Sequence, residues 1–307
     1  MGRVQIIESD SGQVLPKFGA FIMTYERPKV LMATIEKILS QTFPPEKILI
    51  VDNSESDNTQ SSIQTLDCCK IHYFRTGHNA GPAGAAKIGL ELLTEEGYDW
   101  IYWGDDDDPP RFPDCFELLL KNVNSGIGAI GAVGSQFDWS TGLRRRYKDE
   151  ELNGLLPVDT IGGGFCMLVN AHVLDSDTLP NPKLYFGLEE FDFCQKLIKK
   201  GFQVCVLGEL LYRYRAQSNK LGLEKRPSII PRRELGTIHR EYYTYRNGIY
   251  LMLYEFKKYK IALLYIIKGL VKIPFGFFKG VKFGFRNARI LLLAIMHGVV
   301  GKLGKVF

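Results

Sequence analysis

The chain has no acidic residue after Glu255, although Asp and Glu are frequent before it. From position 257 to the C-terminus it carries eleven Lys and Arg residues, so this stretch has a formal charge of +11. The net charge of all 307 residues is only +5, and the first 256 residues therefore sum to −6. This asymmetry predicts a basic C-terminal segment that faces an anionic surface.

Long apolar runs are also missing. The longest, residues 261–267 and 290–296, have seven residues each, whereas a spanning helix needs about 18. We therefore expect no membrane span. Lys and Arg alternate with large apolar residues in the tail, which predicts basic amphipathic helices that lie on an anionic membrane. Nucleic acid is the alternative partner, but the aliphatic content favours lipid.

The six cysteines form no CxxC pair and no regular framework. This predicts buried free thiols in a reducing, cytoplasmic setting. Residues 1–15 are mixed and polar, unlike a secretory signal, and Ile6 stands where myristoylation requires a hydroxyl residue.

The first half of the chain alternates apolar strands with helical stretches. This order predicts a parallel sheet covered by helices, an α/β fold. No GxGxxG follows the first strand, which argues against a dinucleotide-dependent oxidoreductase. The predicted strands of this half are residues 19–23, 47–51, 71–75 and 99–103.

Polar residues follow each of these strands. They are Thr24, Asp52, the segment 75–79 and Asp105. Ligands of open α/β sheets bind beyond the carboxyl ends of the strands, so we expect these side chains to line one crevice.

Four consecutive aspartates, residues 105–108, follow the fourth strand. Their mutual repulsion is offset if a divalent cation binds, and Mg²⁺ commonly takes one or two carboxylates plus substrate phosphates. Asp105 and Asp107 have the i, i+2 spacing that points two strand side chains to one side. Asp106 would then point elsewhere, towards the sugar or ribose, and Asp108 would be a bystander. A solvated acidic loop is the alternative.

Three further features are less specific. Asp52 can accept hydrogen bonds from a base or ribose, or it can form a turn with the residues that follow it. Asn79, Gly81 and Gly84 lie in a glycine-rich turn that opens a helix, where backbone N–H groups can approach phosphates or simply start the helix. Glu189 and Glu190 begin a predicted helix and suit general-base chemistry or helix capping.

The second half of the chain is less regular. Residues 144–147 form a basic loop or hairpin, and a glycine triplet precedes an apolar strand at 165–170. We expect Gly163, Gly164 and Arg213 to be possible diphosphate or acceptor contacts. Residues 203–207 and 210–214 are predicted as strands, and 189–200 as a helix.

Residues 17–215 resemble the inverting family 2 glycosyltransferases, which have the GT-A fold. The resemblance is carried, in this order, by Thr24-Tyr25-Glu26-Arg27-Pro28, Val51-Asp52-Asn53-Ser54, Asn79-Ala80-Gly81-Pro82-Ala83-Gly84, Trp103-Gly104-Asp105-Asp106-Asp107 and Glu189-Glu190-Phe191-Asp192-Phe193. The bacterial branch that transfers galactofuranose or rhamnose to cell-surface glycans is the most similar.

The resemblance implies a residue-level assignment. The nucleotide sugar would be bound by Thr24, Glu26, Arg27, Asp52, Asn79, Gly81, Gly84, Asp105 and Asp106. Asp105 and Asp107 would hold Mn²⁺ or Mg²⁺ on the diphosphate of a UDP- or dTDP-linked donor. Glu190, with Glu189 beside it, would deprotonate an acceptor hydroxyl, and that oxygen would attack the anomeric carbon with inversion.

The sequence departs from the family pattern at two places. Glu190 stands where Asp is frequent, and residues 211–214, where related enzymes often have a His that binds the metal, contain no His; Arg213 there would pair with the diphosphate directly. We expect a glycosyltransferase domain at residues 1–240 and a basic membrane-associating segment at 241–307, peripheral on the inner face of the cell membrane. The alternatives are a polyprenyl-phosphate acceptor and a non-catalytic module that binds nucleotide sugars at the membrane.

Overall fold

A computed structural model describes residues 15–222 and 233–307. The expectations for the N-terminal residues 1–14 therefore lie outside the described residues. The strands of the described chain are β1 (Phe18–Thr24), β2 (Lys47–Asp52), β3 (Ile71–Arg75), β4 (Trp100–Asp105), β5 (Ile127–Gly131), β6 (Gly134–Asp138), β7 (Leu143–Arg145), β8 (Leu155–Pro157), β9 (Thr160–Ile161), β10 (Met167–Asn170) and β11 (Gln203–Leu207).

The helices alternate with the strands in the first half and follow one another at the C-terminus. They are α1 (Pro28–Leu39), α2 (Asn58–Gln64), α3 (Gly81–Glu95), α4 (Cys115–Leu120), α5 (Glu189–Lys199), α6 (Gly208–Gln217), α7 (His239–Tyr250), α8 (Tyr259–Phe275) and α9 (Val281–Val299).

Eight strands form the central sheet in the order β3-β2-β1-β4-β10-β5-β11-β8. Strands β3, β2, β1 and β4 are parallel, as the sequence predicts, and β10 runs antiparallel between β4 and β5. The antiparallel strand brings the second half of the chain back to the edge where β4 ends. A small antiparallel sheet, β7-β6-β9, adjoins it and contains the predicted basic hairpin.

The central sheet is buried on both faces, which explains why its strands are apolar at nearly every position. In β1, Phe21 and Met23 pack on the face that α3 and α5 cover. Ala20 and Ile22, which alternate with them, pack on the face that α1 and α4 cover. This double-sided packing holds the carboxyl ends of the parallel strands in one plane.

The predicted strand at residues 210–214 is wrong, because these residues lie within α6. Leu210, Leu211 and Tyr214 are buried at i, i+1 and i+4, a spacing that places them on one face of a helix. The predicted strand at 165–170 is shorter than expected. A 3₁₀ turn, Gly163–Phe165, precedes β10.

Helices α7, α8 and α9 pack together as a bundle. A π-helical turn, Leu251–Glu255, ends α7 and docks Leu251 and Met252 against Phe137 and Phe191 of the sheet domain. The described part of the chain contains one helical stretch, residues 259–279, long and apolar enough to cross a membrane, with a mean hydropathy of 1.8. It joins apolar runs across Lys268 and Lys272, which is why a search for an uninterrupted run misses it.

All six cysteines are free thiols, as predicted. Four of them are buried, whereas Cys68 is half-buried and Cys69 is exposed. The prediction of burial is therefore wrong for this neighbouring pair.

Candidate active site

The ends of the four parallel strands meet at one edge of the sheet. Thr24 at the end of β1 is in register with Asp52 at the end of β2, and Asp52 is in register with Arg75 at the end of β3. On the other side of β1, Met23 is paired with Asp105, the last residue of β4. The predicted convergence of the strand ends is therefore confirmed.

The acidic run does not continue the strand. Because β4 ends at Asp105, the alternation that was expected to point Asp106 towards a sugar or ribose does not apply. Asp106 is buried instead. It accepts a hydrogen bond of 2.7 Å from the hydroxyl of Thr24 and forms an ion pair with Arg27. The structure thus gives Asp106 a role in holding this edge together, and its expected contact with the sugar or ribose stays a prediction.

Asp107 is exposed, and Arg27 bridges it to Asp106. The Arg27 guanidinium lies 2.6 Å from a carboxylate oxygen of Asp107 and also pairs with Asp106. Thr24 and Arg27, both assigned to the nucleotide from the resemblance, therefore contact the acidic run. The bridge orders Asp107 beside the end of β4.

Asp105 lies at the centre of a strongly negative cluster. Burial, followed by the charges of Glu190, Asp107, Asp106 and Asp108, raises the pKa of Asp105 to about 8. A cation beside Asp105 would offset this repulsion. The structure therefore brings the end of β4 and the start of α5 together, as the site hypothesis requires.

The carboxylates fit a hard divalent cation that the diphosphate helps to hold. Within residues 15–222 and 233–307, no three His, Cys, Asp or Glu side chains are arranged to enclose a metal ion. Mg²⁺ is usually held by one or two carboxylates plus substrate phosphates, so a complete protein cage is not needed. The crowded carboxylate of Asp105 and the exposed one of Asp107 fit this donor set.

Glu189 and Glu190 differ sharply in their surroundings. Glu189 is buried, and burial together with the charge of Glu190 raises its pKa well above the ordinary range. Its Oε2 atom has no hydrogen-bond partner among the described residues. Glu190 is half-buried and close enough to Asp105 for the two charges to interact. Burial therefore disfavours the ionised form of Glu189, whereas Glu190 is the more accessible carboxylate.

Asp52 and Glu26 organise the loop after β2. Asp52 is fully buried and accepts hydrogen bonds from the Ser54 amide at 2.9 Å and the Tyr73 hydroxyl at 2.8 Å. Glu26 accepts from the Ser56 hydroxyl and amide, and these bonds hold the pKa of Glu26 below its usual range. The turn-forming interpretation of Asp52 is thus the one seen, and Tyr73 is a partner that the sequence analysis missed.

The glycine-rich segment before α3 is packed against the protein. Gly81 has a φ of +70°, and a Cβ atom there would lie 2.3 Å from the carbonyl oxygen of Tyr185. The amide of Gly81 donates to Asn79, and the amide of Ala83 donates to Tyr185. These amides, which were candidates for a phosphate, are therefore bonded within the protein, and the ordinary helix-start interpretation is the better one.

Gly84 has a similar packing role. A Cβ atom at Gly84 would lie 2.7 Å from the Cβ of Ala80. Only a glycine at position 84 lets the first turn of α3 form next to Ala80 without displacing it.

The glycine turn before β10 packs against the acidic run. A Cβ atom at Gly164, which follows Gly163 in this turn, would lie 2.7 Å from a carboxylate oxygen of Asp108. Asp108 is thus a packed side chain, with Arg111 3.8 Å away. The structure keeps this turn next to the candidate site.

The Arg213 guanidinium is paired with a carboxylate of the protein. Its guanidinium forms two hydrogen bonds, of 2.8 and 2.9 Å, with the carboxylate of Asp114 and lies over the ring of Phe112. The expected contact between Arg213 and a diphosphate is not supported, because its fork is filled by a carboxylate.

Comparison with known proteins agrees with this geometry. Residues 20–177, just over half of the chain, match the model of glycosyl transferase family 2. The galactofuranosyltransferase GlfT1 of Mycolicibacterium smegmatis is 23% identical over 259 residues, which cover 76% of this chain and 82% of the relative. The GalNAc(5)-diNAcBac-PP-undecaprenol β-1,3-glucosyltransferase of Campylobacter jejuni is 29% identical over 119 residues, 38% of this chain and 37% of the relative.

Two solved structures share the fold. The mannosyltransferase PcManGT of Pyrobaculum calidifontis, in complex with GDP-Man and Mn²⁺, superposes with a TM-score of 0.52 at 12% identity, over 94% of this chain and 88% of that chain. TarS 1–349 of S. aureus in complex with UDP-GlcNAc gives 0.52 at 14% identity, over 92% and 81%. The predicted GT-A fold is thereby confirmed. With the family match spanning β1 to β10 and the strand-end acidic site it contains, the chain belongs to glycosyl transferase family 2 and is a glycosyltransferase.

Proposed function

We propose that the chain transfers galactofuranose or rhamnose from a UDP- or dTDP-linked donor to a hydroxyl group of a lipid-linked glycan, with inversion. The sugar is supported by the galactofuranosyltransferase relatives, at 23% identity. The acceptor is supported by the relative whose name contains a PP-undecaprenol glycan. We also propose residues 1–240 as the catalytic domain and 241–307 as the membrane-associating segment.

The observation that carries the proposal is the proximity of Asp105 and Glu190. Trp103 of β4 and Phe193 of α5 pack with ring centroids 5.4 Å apart, which brings the ends carrying Asp105 and Glu190 together although 85 positions separate them. Asp105 and Asp107 would hold Mn²⁺ or Mg²⁺, and the ion would supply positive charge beside the leaving diphosphate. Glu190 accepts the proton of the acceptor hydroxyl. The other candidate, Glu189, is too fully buried and too readily protonated for that task.

The same cluster favours a hydroxyl acceptor over a polyprenyl phosphate. A phosphate is already ionised and needs no general base. It would also be repelled by this acidic site, where burial and then the charges of the neighbouring carboxylates raise the pKa of Asp105 to about 8. A neutral hydroxyl meets no such repulsion.

The bundle supports a position on the membrane surface. Apolar side chains on α8 and α9 are exposed at helical spacing, and the same segment carries Lys and Arg without any acid. Between residues 259 and 300 the exposed large apolar side chains are Tyr259, Leu263, Ile267, Leu270, Val271, Phe277, Phe278, Val281, Phe285, Leu292, Met296, Val299 and Val300. Such a surface binds anionic lipid through apolar burial and electrostatic attraction.

Contacts along α8 favour a helix that stays with the bundle over one that crosses the bilayer alone. Lys272 lies 3.6 Å from Glu241 and over the ring of Tyr245, both on α7. The side-chain amide of Asn287 on α9 donates to the carbonyl of Lys272. These polar contacts tie the last turn of α8 to its neighbours.

A donor screen tests the proposed reaction. UDP-galactofuranose, UDP-galactose, UDP-glucose and dTDP-rhamnose are incubated with Mn²⁺ and a detergent extract of bacterial lipids, and nucleotide release is measured. UDP or dTDP with Mn²⁺ should raise the melting temperature, because both bind the native state. If neither nucleotide shifts it and no donor is turned over, the proposal is wrong.

Two matched variants test the base. Glu190→Gln should lower turnover by about 100-fold or more, the usual contribution of a general base. Glu189→Gln should leave turnover within about threefold, because burial favours the neutral form of Glu189 and Gln resembles that form. Parent-like turnover in Glu190→Gln would favour a phosphate acceptor. No turnover in the parent, with equal nucleotide binding by the parent and Asp107→Asn, would favour the non-catalytic module.

Sedimentation with vesicles tests the membrane surface. Phe278 and Phe285 are 78% and 66% exposed, and changing both to Ser should lower binding to phosphatidylglycerol vesicles by about tenfold or more. Tyr212→Ser on α6, 46% exposed, is the control and should bind as the parent does. Equal binding by all three proteins would contradict the proposal.

A further inference from the structure

The segment that leads into α5 is held by the C-terminal bundle. Residues 184–188 join a 3₁₀ turn to α5, and Glu189 and Glu190 are the first two residues of that helix. Two side chains of α7, Arg246 and Asn247, are fully buried against this segment. Arg246 and Asn247 therefore connect this segment directly to α7.

Asn247 spans the segment with its side-chain amide. Its Nδ2 atom lies 3.0 Å from the carbonyl oxygen of Leu184, 3.1 Å from that of Phe186 and 2.7 Å from that of Gly187. An amide nitrogen has two hydrogens, so three carbonyls share two donors at one point. A buried carbonyl that loses its donor is costly, and the network therefore specifies one arrangement of the segment.

Arg246 completes the network and fixes Asn247. Its Nε donates to the Oδ1 of Asn247 at 2.8 Å, and its Nη2 donates to the carbonyl of Leu184 at 2.7 Å. Its Nη1 donates to the carbonyl of Gly304 near the C-terminus. The Nε bond sets the orientation of the Asn247 amide, because only then does Nδ2 face the segment.

The backbone of the segment needs such support. Tyr185, Gly187 and Leu188 have φ values of 62°, 78° and 70°. Positive φ is unfavourable for a residue with a side chain, and it persists only where the surroundings impose it. Tyr185 also accepts a hydrogen bond from Ala83 at the start of α3, so the segment lies between α3 and the bundle.

We infer that Arg246 and Asn247 are positioning residues that hold the start of α5, and with it Glu190, at the reaction site. This inference rests on the proposed role of Glu190 as the base. Neither residue touches the acidic run at the end of β4, so donor binding does not depend on them. A displacement of about 1 Å at the reacting groups lowers turnover by as much as 100-fold.

The decisive comparison is Asn247→Asp against Asn287→Asp. Asn287 is also buried in the bundle, and its Nδ2 also donates to one backbone carbonyl, that of Lys272, at 3.0 Å. The two variants make the same chemical change, but only one touches the segment. Asn247→Asp should lower kcat by about 10- to 100-fold with the Kd for UDP and Mn²⁺ unchanged. Asn287→Asp should keep kcat within about threefold at a similar loss of thermal stability.

Hydrogen exchange gives a readout that is independent of activity. The amides of residues 184–190 should exchange faster in Asn247→Asp than in the parent, and at the parent rate in Asn287→Asp. If Asn247→Asp does not fold, Arg246→Lys replaces it, because Lys keeps the charge but cannot donate to Asn247, Leu184 and Gly304 together.

Three results would overturn the inference: parent-like kcat in a folded segment variant, an equal loss of kcat in Asn287→Asp, or unchanged exchange at 184–190. Failure of the proposed function looks different. In that case Glu190→Gln would turn over like the parent, and exchange alone would decide whether the bundle holds the segment.

Discussion

Thr24→Val asks whether the hydroxyl at the end of β1 serves Asp106 or the nucleotide. In the structure this hydroxyl donates to Asp106 at 2.7 Å, and the two residues are 3% and 0% exposed. Valine keeps the shape of threonine but removes the donor. The change therefore leaves packing intact and leaves a buried carboxylate oxygen without its partner.

The expected loss of stability depends on the charge of the hydrogen-bond acceptor. A hydrogen bond to a charged group contributes about 1.5–3 kcal/mol. Arg27 still pairs with Asp106 in the variant, although its side chain is 45% exposed and its contribution is partly screened. We therefore expect a loss of about 2 kcal/mol, which lowers the melting temperature by about 5 °C in a protein of this size.

Thr34→Val is the matched control. Thr34 is 2% exposed, and its hydroxyl donates at 2.6 Å to the backbone carbonyl of the same residue, Asp106. A neutral acceptor makes this bond worth about 0.5–1.5 kcal/mol. Both variants are unfolded in urea, alone and combined with Asp106→Asn. The comparison gives the coupling energy between each hydroxyl and the Asp106 side chain. Only Thr24→Val should couple to the Asp106 side chain.

Donor affinity provides the refutation. If the Thr24 hydroxyl serves Asp106, Thr24→Val lowers the free energy of unfolding, and the Kd for UDP and Mn²⁺ changes by less than about tenfold. If stability is unchanged while affinity falls by about tenfold or more, which corresponds to 1.4 kcal/mol, the hydroxyl binds the nucleotide and the structural argument is wrong.

Three further predictions follow from single residues. The pKa of Asp105 is raised to about 8, so folding takes up a proton and the free energy of unfolding should fall as pH rises from about 4 to 8. Asp105→Asn should flatten this dependence in urea unfolding with EDTA, and equal slopes would contradict the assignment. Gly81→Ala forces a Cβ against the Tyr185 carbonyl at positive φ and should cost at least about 2 kcal/mol in thermal unfolding; a parent-like melting temperature would contradict this. Cys69 is exposed and Cys68 half-buried, so Cys69→Ser should remove the fastest thiol in labelling with Ellman's reagent; a persisting fast phase would show another accessible thiol.

The parallel half of the sheet could be predicted because local sequence determines it. Each strand there is apolar throughout and is followed by a polar turn and a helix, and the register joining Thr24 to Asp52 and Arg75 follows from that repeat. The site residues Asp105 and Glu190 were likewise accessible as carboxylates at element ends. Their proximity was implied only by the family resemblance, because it depends on the tertiary packing of α5.

The errors share a physical cause. Asp106 was expected to point away from Asp105 and Asp107 because alternation was continued past Asp105, yet the strand stops there and the chain turns. The apolar residues Leu210 and Leu211 are compatible with a strand or a helix when only the sequence is considered. In the structure they are buried as part of α6. No local pattern identifies Arg246 or Asn247, since their partners lie about 60 residues away.

The contacts between α7 and the segment 184–188 also affect how the protein unfolds. The segment 184–188 is hydrogen-bonded to α7, so the start of α5 and the bundle share one cooperative unit, whereas the ends of β1, β2 and β4 are held by the central sheet. Units of this kind open separately and at different free energies. Mild denaturant, or any event that loosens the bundle, would therefore abolish turnover under conditions in which the enzyme still binds the nucleotide.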